Sequence, residues 1–167
     1  LIFIYLPVCA GSRGKVIKRT FLTRMSSSQS ITWCVVGAGD VCEIKAAPVA
    51  FRNAGKDCEV SCIVRRNEEK GMDFCSRHGI DTAYTTFQDM IAGEAGKVNA
   101  VYISTPPVSH AEYTKLCLEA GIKNVYVEKP VCLSAEEARA LKVEVEKHDA
   151  KLVVAHYRNS LPMFKYI

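Results

Sequence analysis

The sequence predicts an α/β domain built on a doubly wound parallel sheet, and three observations carry that prediction. Apolar runs of about five residues alternate with amphipathic stretches of roughly ten to fifteen, the pattern of βαβ units. The runs are almost continuously apolar, which suits strands covered on both faces. A glycine turn, Gly37-Ala38-Gly39, joins the first run to the first amphipathic stretch.

Each element follows from its residues. ITWCVV, at 31–36, is a short apolar strand that runs into the glycine turn. Residues 40–54 place Val41, Ile44, Ala47 and Phe51 three and four apart, the spacing of a helix face, and Gly55 stops that helix. CEVSCIV, at 58–64, is the second strand, followed by a helix over 68–78 that ends before Gly79. IDTAYT, at 80–85, is a short strand, and 86–92 a short helix. NAVYIS, at 99–104, runs into Thr105-Pro106-Pro107, after which 108–120 is helical and Gly121 stops it. KNVYV, at 123–127, is the fifth strand. Ser134 with Glu137 three residues on forms a capping box for a helix that reaches about His148. KLVVAHY, at 151–157, is the last strand. No repeat and no low-complexity tract interrupts this order.

A chain of 167 residues, 49% hydrophobic and 24% charged, has enough material for one domain with a full core. The net charge of +4 is unevenly placed: Arg13, Lys15, Lys18, Arg19 and Arg24 stand in an acid-free stretch over 1–30, leaving 17 basic against 18 acidic residues elsewhere. A near-neutral folded part lacks the basic patch that a nucleic-acid partner requires. The apolar run LIFIYLPVCA is too short to span a bilayer, so no membrane partner is expected. Residues 1–30 read as a leader: the end of a signal peptide, a transit-like segment, or sequence upstream of a start at Met25. None of the eight cysteines forms a C-x-x-C pair, which argues against a zinc or thioredoxin-like site. Cys34, Cys62 and Cys117 lie among apolar residues and read as small core side chains. A reducing, cytoplasmic compartment is expected, with organellar targeting by 1–30 as the alternative.

Two strand-end regions carry chemistry. In VVGAGDVCEIK, Gly37 permits a tight turn and Gly39 lets backbone approach a pyrophosphate seated on the helix that Asp40 and Val41 open. A strand before and a helix after this G-x-G predict a Rossmann-like dinucleotide-binding domain over 31–157. Cys42 stands where the fingerprint places its third glycine, a close-packing position that a small residue fills. The second strand ends in Arg65-Arg66-Asn67, with no acid to hold ribose hydroxyls. A guanidinium there pairs with a 2′-phosphate, so NADP is favoured over NAD; two solvated arginines are the plainer alternative.

Ligands of doubly wound sheets bind outside the carboxyl ends of the strands. Thr105-Pro106-Pro107, with His110 after it, and Glu128-Lys129-Pro130 therefore face the same crevice as Gly37 and Gly39. A lysine over a nicotinamide ring handles the proton of a substrate hydroxyl as hydride leaves its carbon. Glu128 orients a ribose or the lysine, and Pro130 shapes the turn. Singly, each has a structural explanation; at two successive strand ends they form a site.

On VVGAGDV, VYISTPPVSHAEYTKLCLEAGIKNVYVEKPVCLSAEEA and HYRNSLPMFK, the chain over 31–167 resembles the Gfo/Idh/MocA oxidoreductases, named for glucose–fructose oxidoreductase and inositol dehydrogenase. The resemblance implies an NAD(P)-dependent oxidoreductase acting on a small molecule of the sugar or polyol class. It implies Lys129 as the catalytic residue, with Gly37, Gly39, Arg65, Thr105, Pro106, His110 and Glu128 lining the cofactor. It further implies a second α/β domain that carries the substrate pocket, a catalytic histidine and the surface of a homo-oligomer. Residues 158–167 resemble the start of the crossover into it, and His156 is not that histidine. The same resemblance admits a dinucleotide-binding regulator without turnover and an NAD-dependent glycosidase; a different Rossmann-like binder, such as a methyltransferase, leaves Glu128-Lys129-Pro130 without a task.

Overall fold

A computed structural model of the chain describes residues 30–45 and 58–156. Its elements are β1 (Ile31–Val36), α1 (Asp40–Lys45), β2 (Cys58–Val64), α2 (Glu68–His78), β3 (Thr82–Tyr84) and α3 (Phe87–Gly93). They continue with β4 (Ala100–Ile103), a 3₁₀ turn (Pro107–Ser109), α4 (His110–Glu119), β5 (Asn124–Val127), α5 (Ala135–Lys147) and β6 (Lys151–Val154). The strands form one sheet in the order β3-β2-β1-β4-β5-β6, and every pairing is parallel. This is the doubly wound order, whose direction of growth reverses between β1 and β4. The expected fold class is the one observed.

Both faces of the sheet are covered, which explains the continuously apolar strands. On one face Cys34, Val36, Cys62, Val64, Val101, Ile103, Val125 and Val127 pack with Phe87 and Met90 of α3 and Cys117 of α4. On the other, Val35, Ile63 and Tyr102 pack with Phe74 and Cys75 of α2 and Cys42 of α1. Successive side chains of a strand thus feed opposite layers. Cys34, Cys62 and Cys117 are fully buried, as expected of small core residues. Burial pushes the Cys117 thiol up to about 12 and raises that of Cys34, so both stay protonated and unreactive.

The helix ends obey their capping residues. Asn67 accepts from Lys70 N–H at the start of α2, and Thr86 from Asp89 N–H at the start of α3. Ser134 accepts from Glu137 N–H at 3.0 Å, but the Glu137 carboxylate takes the N–H of Leu133, not that of Ser134, at 2.8 Å. The expected box therefore closes one residue earlier.

Several boundaries differ from expectation for local reasons. Ile80 is not in β3, because its N–H bonds to the Cys75 carbonyl to complete the left-handed cap at Gly79. The helix expected over 108–120 begins as a 3₁₀ turn, with Ser109 N–H bonded to the Pro106 carbonyl, and becomes α-helical at His110. β6 stops at Val154, where His156 N–H folds back onto the Val154 carbonyl. The inward face of α1 also differs. Val41 and Ile44 are exposed, and Cys42 is the residue that reaches the core. Contact at the third-glycine position sets the rotation of α1, overriding its apolar spacing. Glu43, beside Cys42, meets Arg77 and His78 of α2. The continuation of this helix over 46–54, the leader short of Ser30, Tyr157 and residues 158–167 lie outside the described residues. Among the described residues, no helix is long and apolar enough to cross a membrane.

Candidate functional site at the carboxyl edge of the sheet

The sheet delivers the expected residues to one edge through its own ladder. The residue that follows each strand donates its N–H to the last carbonyl of the neighbouring strand. Arg65 bonds to Tyr84, Gly37 to Val64, Ser104 to Val36, Glu128 to Ile103 and Ala155 to Val127, all at 2.8–2.9 Å. The glycine turn, Arg65, the Thr105 segment and the Glu128-Lys129 turn are therefore level with one another, across the point where the strand order reverses.

The two glycines of the turn have different reasons to be glycine. Gly37 has φ +84, and a Cβ there would lie 2.7 Å from Thr105 Cγ2 and 2.8 Å from the Ser104 carbonyl oxygen. It is required by the turn and by the close approach of the β4 loop. Gly39 has no such conformation, and the nearest atom to a Cβ placed on it is the Gly37 carbonyl oxygen, 3.9 Å away. Among the described residues, that space is open. The Gly39 carbonyl accepts from Glu43 N–H in the first turn of α1, where Asp40 and Val41 are exposed. Cys42 is fully buried beneath the turn. Its burial, and then the negative charge of Glu128, push its thiol up to about 12, so it is packing and not a nucleophile.

At the end of β2, Arg65 is half-buried and Arg66 exposed. Gly71 brings α2 close to Arg65: a Cβ there would meet Ala83 Cβ at 3.3 Å and Arg65 Cβ at 3.7 Å. The nearest acids in sequence, Glu68 and Glu69, are exposed in the first turn of α2.

Beyond β4, Thr105 is half-buried and Pro106 exposed. Ser109 Oγ lies 2.8 Å from Thr105 Oγ1 and 2.9 Å from the Pro106 carbonyl, a hydroxyl that staples the loop. His110 is 1% exposed. Its Nδ1 is 2.6 Å from the Pro130 carbonyl oxygen and its Nε2 2.7 Å from that of Thr105. A carbonyl only accepts, and a neutral imidazole carries one N–H, so the ring serves one carbonyl at a time unless it takes a second proton. Where the sequence leads one to expect a cofactor-lining side chain, the ring is buried with both nitrogens on protein carbonyls.

Beyond β5, Glu128 is half-buried and Lys129 exposed, with a cis peptide between Lys129 and Pro130. Glu128 does not hold Lys129. Its Oε1 accepts from the Tyr102 hydroxyl at 2.8 Å. Tyr102 is 5% exposed, and burial followed by this bond raises its pKa, so the phenol remains a donor. Sequence reasoning did not single out Tyr102. The signal was the parallel register, which pairs Tyr102 with Tyr126 and so puts Glu128 two residues on, over the same face. Lys129 makes no salt bridge among the described residues, leaving its ammonium free to meet a ligand. His156 is exposed just past β6.

A separate groove of about 320 Å³ runs between α4 and α5, lined by Lys115, Leu118, Glu119, Glu144, Lys147 and His148. Glu144 pairs there with Lys147 at 3.3 Å and His148 at 3.8 Å, which makes it a solvated charged seam remote from the strand ends. Among the described residues, no cluster of histidine, cysteine and carboxylate has the makings of a metal site.

Comparison with known proteins agrees with this fold. A family model described as an oxidoreductase family with an NAD-binding Rossmann fold matches residues 31–156. Oxidoreductase P35 of Formosa agariphila is 39% identical over 134 residues, covering 80% of the chain and 40% of the relative. The D-xylose 1-dehydrogenase [NADP(+)] of Haloarcula marismortui is 27% identical over 154 residues, covering 89% of the chain and 41% of the relative. The chain thus spans about two fifths of these relatives. Among solved structures, KijD10, a 3-ketoreductase from Actinomadura kijaniata in complex with NADP and TDP-benzene, superposes with a TM-score of 0.72 at 26% identity, over 82% of the chain and 40% of that protein.

The asymmetry of the two glycines gives a prediction. Gly37→Ala should destabilise the fold by about 1–3 kcal/mol in chemical denaturation, because backbone and Thr105 must both move. Gly39→Ala should leave stability within roughly 0.5 kcal/mol of wild type and still abolish dinucleotide binding in a calorimetric titration.

Proposed function

The chain belongs to the Gfo/Idh/MocA family of oxidoreductases, and from that premise we propose that it holds a nicotinamide dinucleotide across the carboxyl edge of its sheet, as the cofactor-binding part of an enzyme acting on a sugar, a cyclic polyol or a related alcohol. The observation that carries this reading is the space above Gly39. Among the described residues, the turn leaves room above Gly39 that no atom fills, at the start of a helix and at the reversal point of the strand order. A pyrophosphate fits that space.

The residues present suit the group. Gly37 and Gly39 shape the turn, Asp40 and Val41 open α1 beneath it, and Arg65 with Arg66 stands at the adenosine side. Thr105, Pro106, Glu128 and Lys129 stand on the β4–β5 side, where the nicotinamide end belongs. When bound, the cofactor supplies hydride exchange with a substrate carbon. Lys129 holds and moves the proton of the substrate hydroxyl at its Nζ. Glu128, fixed by Tyr102, presents a carboxylate of settled orientation to a ribose.

NADP is favoured over NAD, on the arginine at 65, a half-buried residue, and the absence of a carboxylate at 65–67. The xylose dehydrogenase relative is named for NADP(+), and the ketoreductase structure holds NADP. The sugar or polyol class rests on the activities for which relatives are named, including a 1,5-anhydro-D-fructose reductase and a scyllo-inositol 2-dehydrogenase.

Arg65→Asp should weaken NADPH binding roughly tenfold to a hundredfold, the worth of a charge-assisted bond, while sparing NADH. Calorimetric titration with each nucleotide checks this, and equal loss of both would mean that Arg65 does not read the 2′-phosphate. In a form of the protein that turns over substrate, Lys129→Met should lower kcat about a hundredfold or more with little change in cofactor affinity. Unchanged turnover, measured by nicotinamide absorbance, would remove Lys129 from the chemistry.

A further inference from the structure

The ladder ties β4 to β5 only as far as the Glu128 N–H, which bonds to the Ile103 carbonyl. Past that bond the two loops part, one toward Pro106 and the other toward Pro130. Among the described residues, the hydrogen-bonded link between the loops beyond this point runs through His110, the first residue of α4. The ring is 1% exposed, and each nitrogen lies on a carbonyl of a different loop. The base of the clamp is itself fixed, since the His110 carbonyl accepts from the Thr114 hydroxyl, a fully buried side chain, at 2.8 Å. Thr105 in turn abuts Gly37, and Pro130 adjoins Lys129. A single side chain thus spans the distance from the glycine turn to the lysine.

We propose that His110 is a positioning residue that never touches cofactor: with an N–H on each ring nitrogen it clamps the Lys129-Pro130 turn to the Thr105 loop and so shapes the nicotinamide half of the cleft. This rests on the dinucleotide reading above. The adenosine half is built from Gly39, α1 and Arg65, and among the described residues the hydrogen bonds of His110 go instead to Pro130, Thr105 and Thr114. Loss of the clamp therefore divides the ligand in two. It weakens what the nicotinamide end contributes and spares what the adenosine end contributes.

The test titrates the chain with NADPH and NADH, and with their counterparts lacking nicotinamide, 2′-phospho-ADP-ribose and ADP-ribose. Three variants are compared with wild type. His110→Leu removes both ring contacts; His110→Asn keeps an amide donor near the Nδ1 position, toward Pro130; His110→Gln keeps one near Nε2, toward Thr105. The expected result is that His110→Leu binds the dinucleotides roughly tenfold more weakly and the nicotinamide-free ligands within about twofold of wild type. His110→Asn should recover more dinucleotide affinity than His110→Gln, because it retains the bond on the lysine side. Equal proportional losses for all ligands would overturn the clamp and leave His110 a general core residue. So would full dinucleotide affinity in His110→Leu, or three variants that bind nothing. A wild-type chain that binds none of the four ligands would sink the dinucleotide reading, and the clamp with it.

Discussion

The site depends on where five main-chain hydrogen bonds stop. Each N–H that follows a strand reaches the last carbonyl of its neighbour, from Arg65 on Tyr84 across to Ala155 on Val127. A parallel ladder has no hairpins to set its register, so burial on both faces must do it, and a slip of one residue would turn each core side chain toward the wrong layer. The two packed layers, one around Val36, Ile103 and Val127 and the other around Val35, Ile63 and Tyr102, therefore hold the strand ends level. A turn, an arginine, a glutamate and a lysine that are far apart in sequence become neighbours as a by-product of core packing.

On that level edge the residues divide into those that build and those left over for a ligand. Gly37, Cys42, Tyr102 and His110 are spent on the protein. Gly37 makes room for Thr105, Cys42 fills the space under the turn, Tyr102 holds Glu128, and His110 spans two loops. Among the described residues, Gly39, Arg65 and Lys129 have no comparable structural duty. A polar edge whose Tyr102 and His110 are already held by protein partners costs little reorganisation when a ligand arrives. The space above Gly39 and the free ammonium of Lys129 are what remain for chemistry.

Much of this was legible in the sequence because it rests on short-range rules. Strand period, glycine stops and capping residues located all six strands, and the strand–turn–helix context located Gly37 and Gly39. What escaped notice depends on pairing between distant segments. Tyr102 reads as one more apolar strand residue until the β4–β5 register puts Glu128 over it. His110 reads as a histidine in a first helical turn until Pro130 and Thr105 are seen to face its two nitrogens. The spacing of Val41 and Ile44 pointed to the wrong face of α1, because contact through Cys42 outweighs helix periodicity next to a tight turn. The start of α4 differs because a 3₁₀ turn over Pro107–Ser109, closed by Ser109 N–H on the Pro106 carbonyl, precedes the α-helix.

The most direct measurement is backbone amide NMR of the chain as NADPH is added. The account predicts shifts at Gly37 to Val41, Arg65, Thr105, Glu128 and Lys129, the residues of one sheet edge, with the α4–α5 seam around Glu144 and His148 unmoved. Shifts confined to that seam, or to the opposite edge of the sheet, would contradict it.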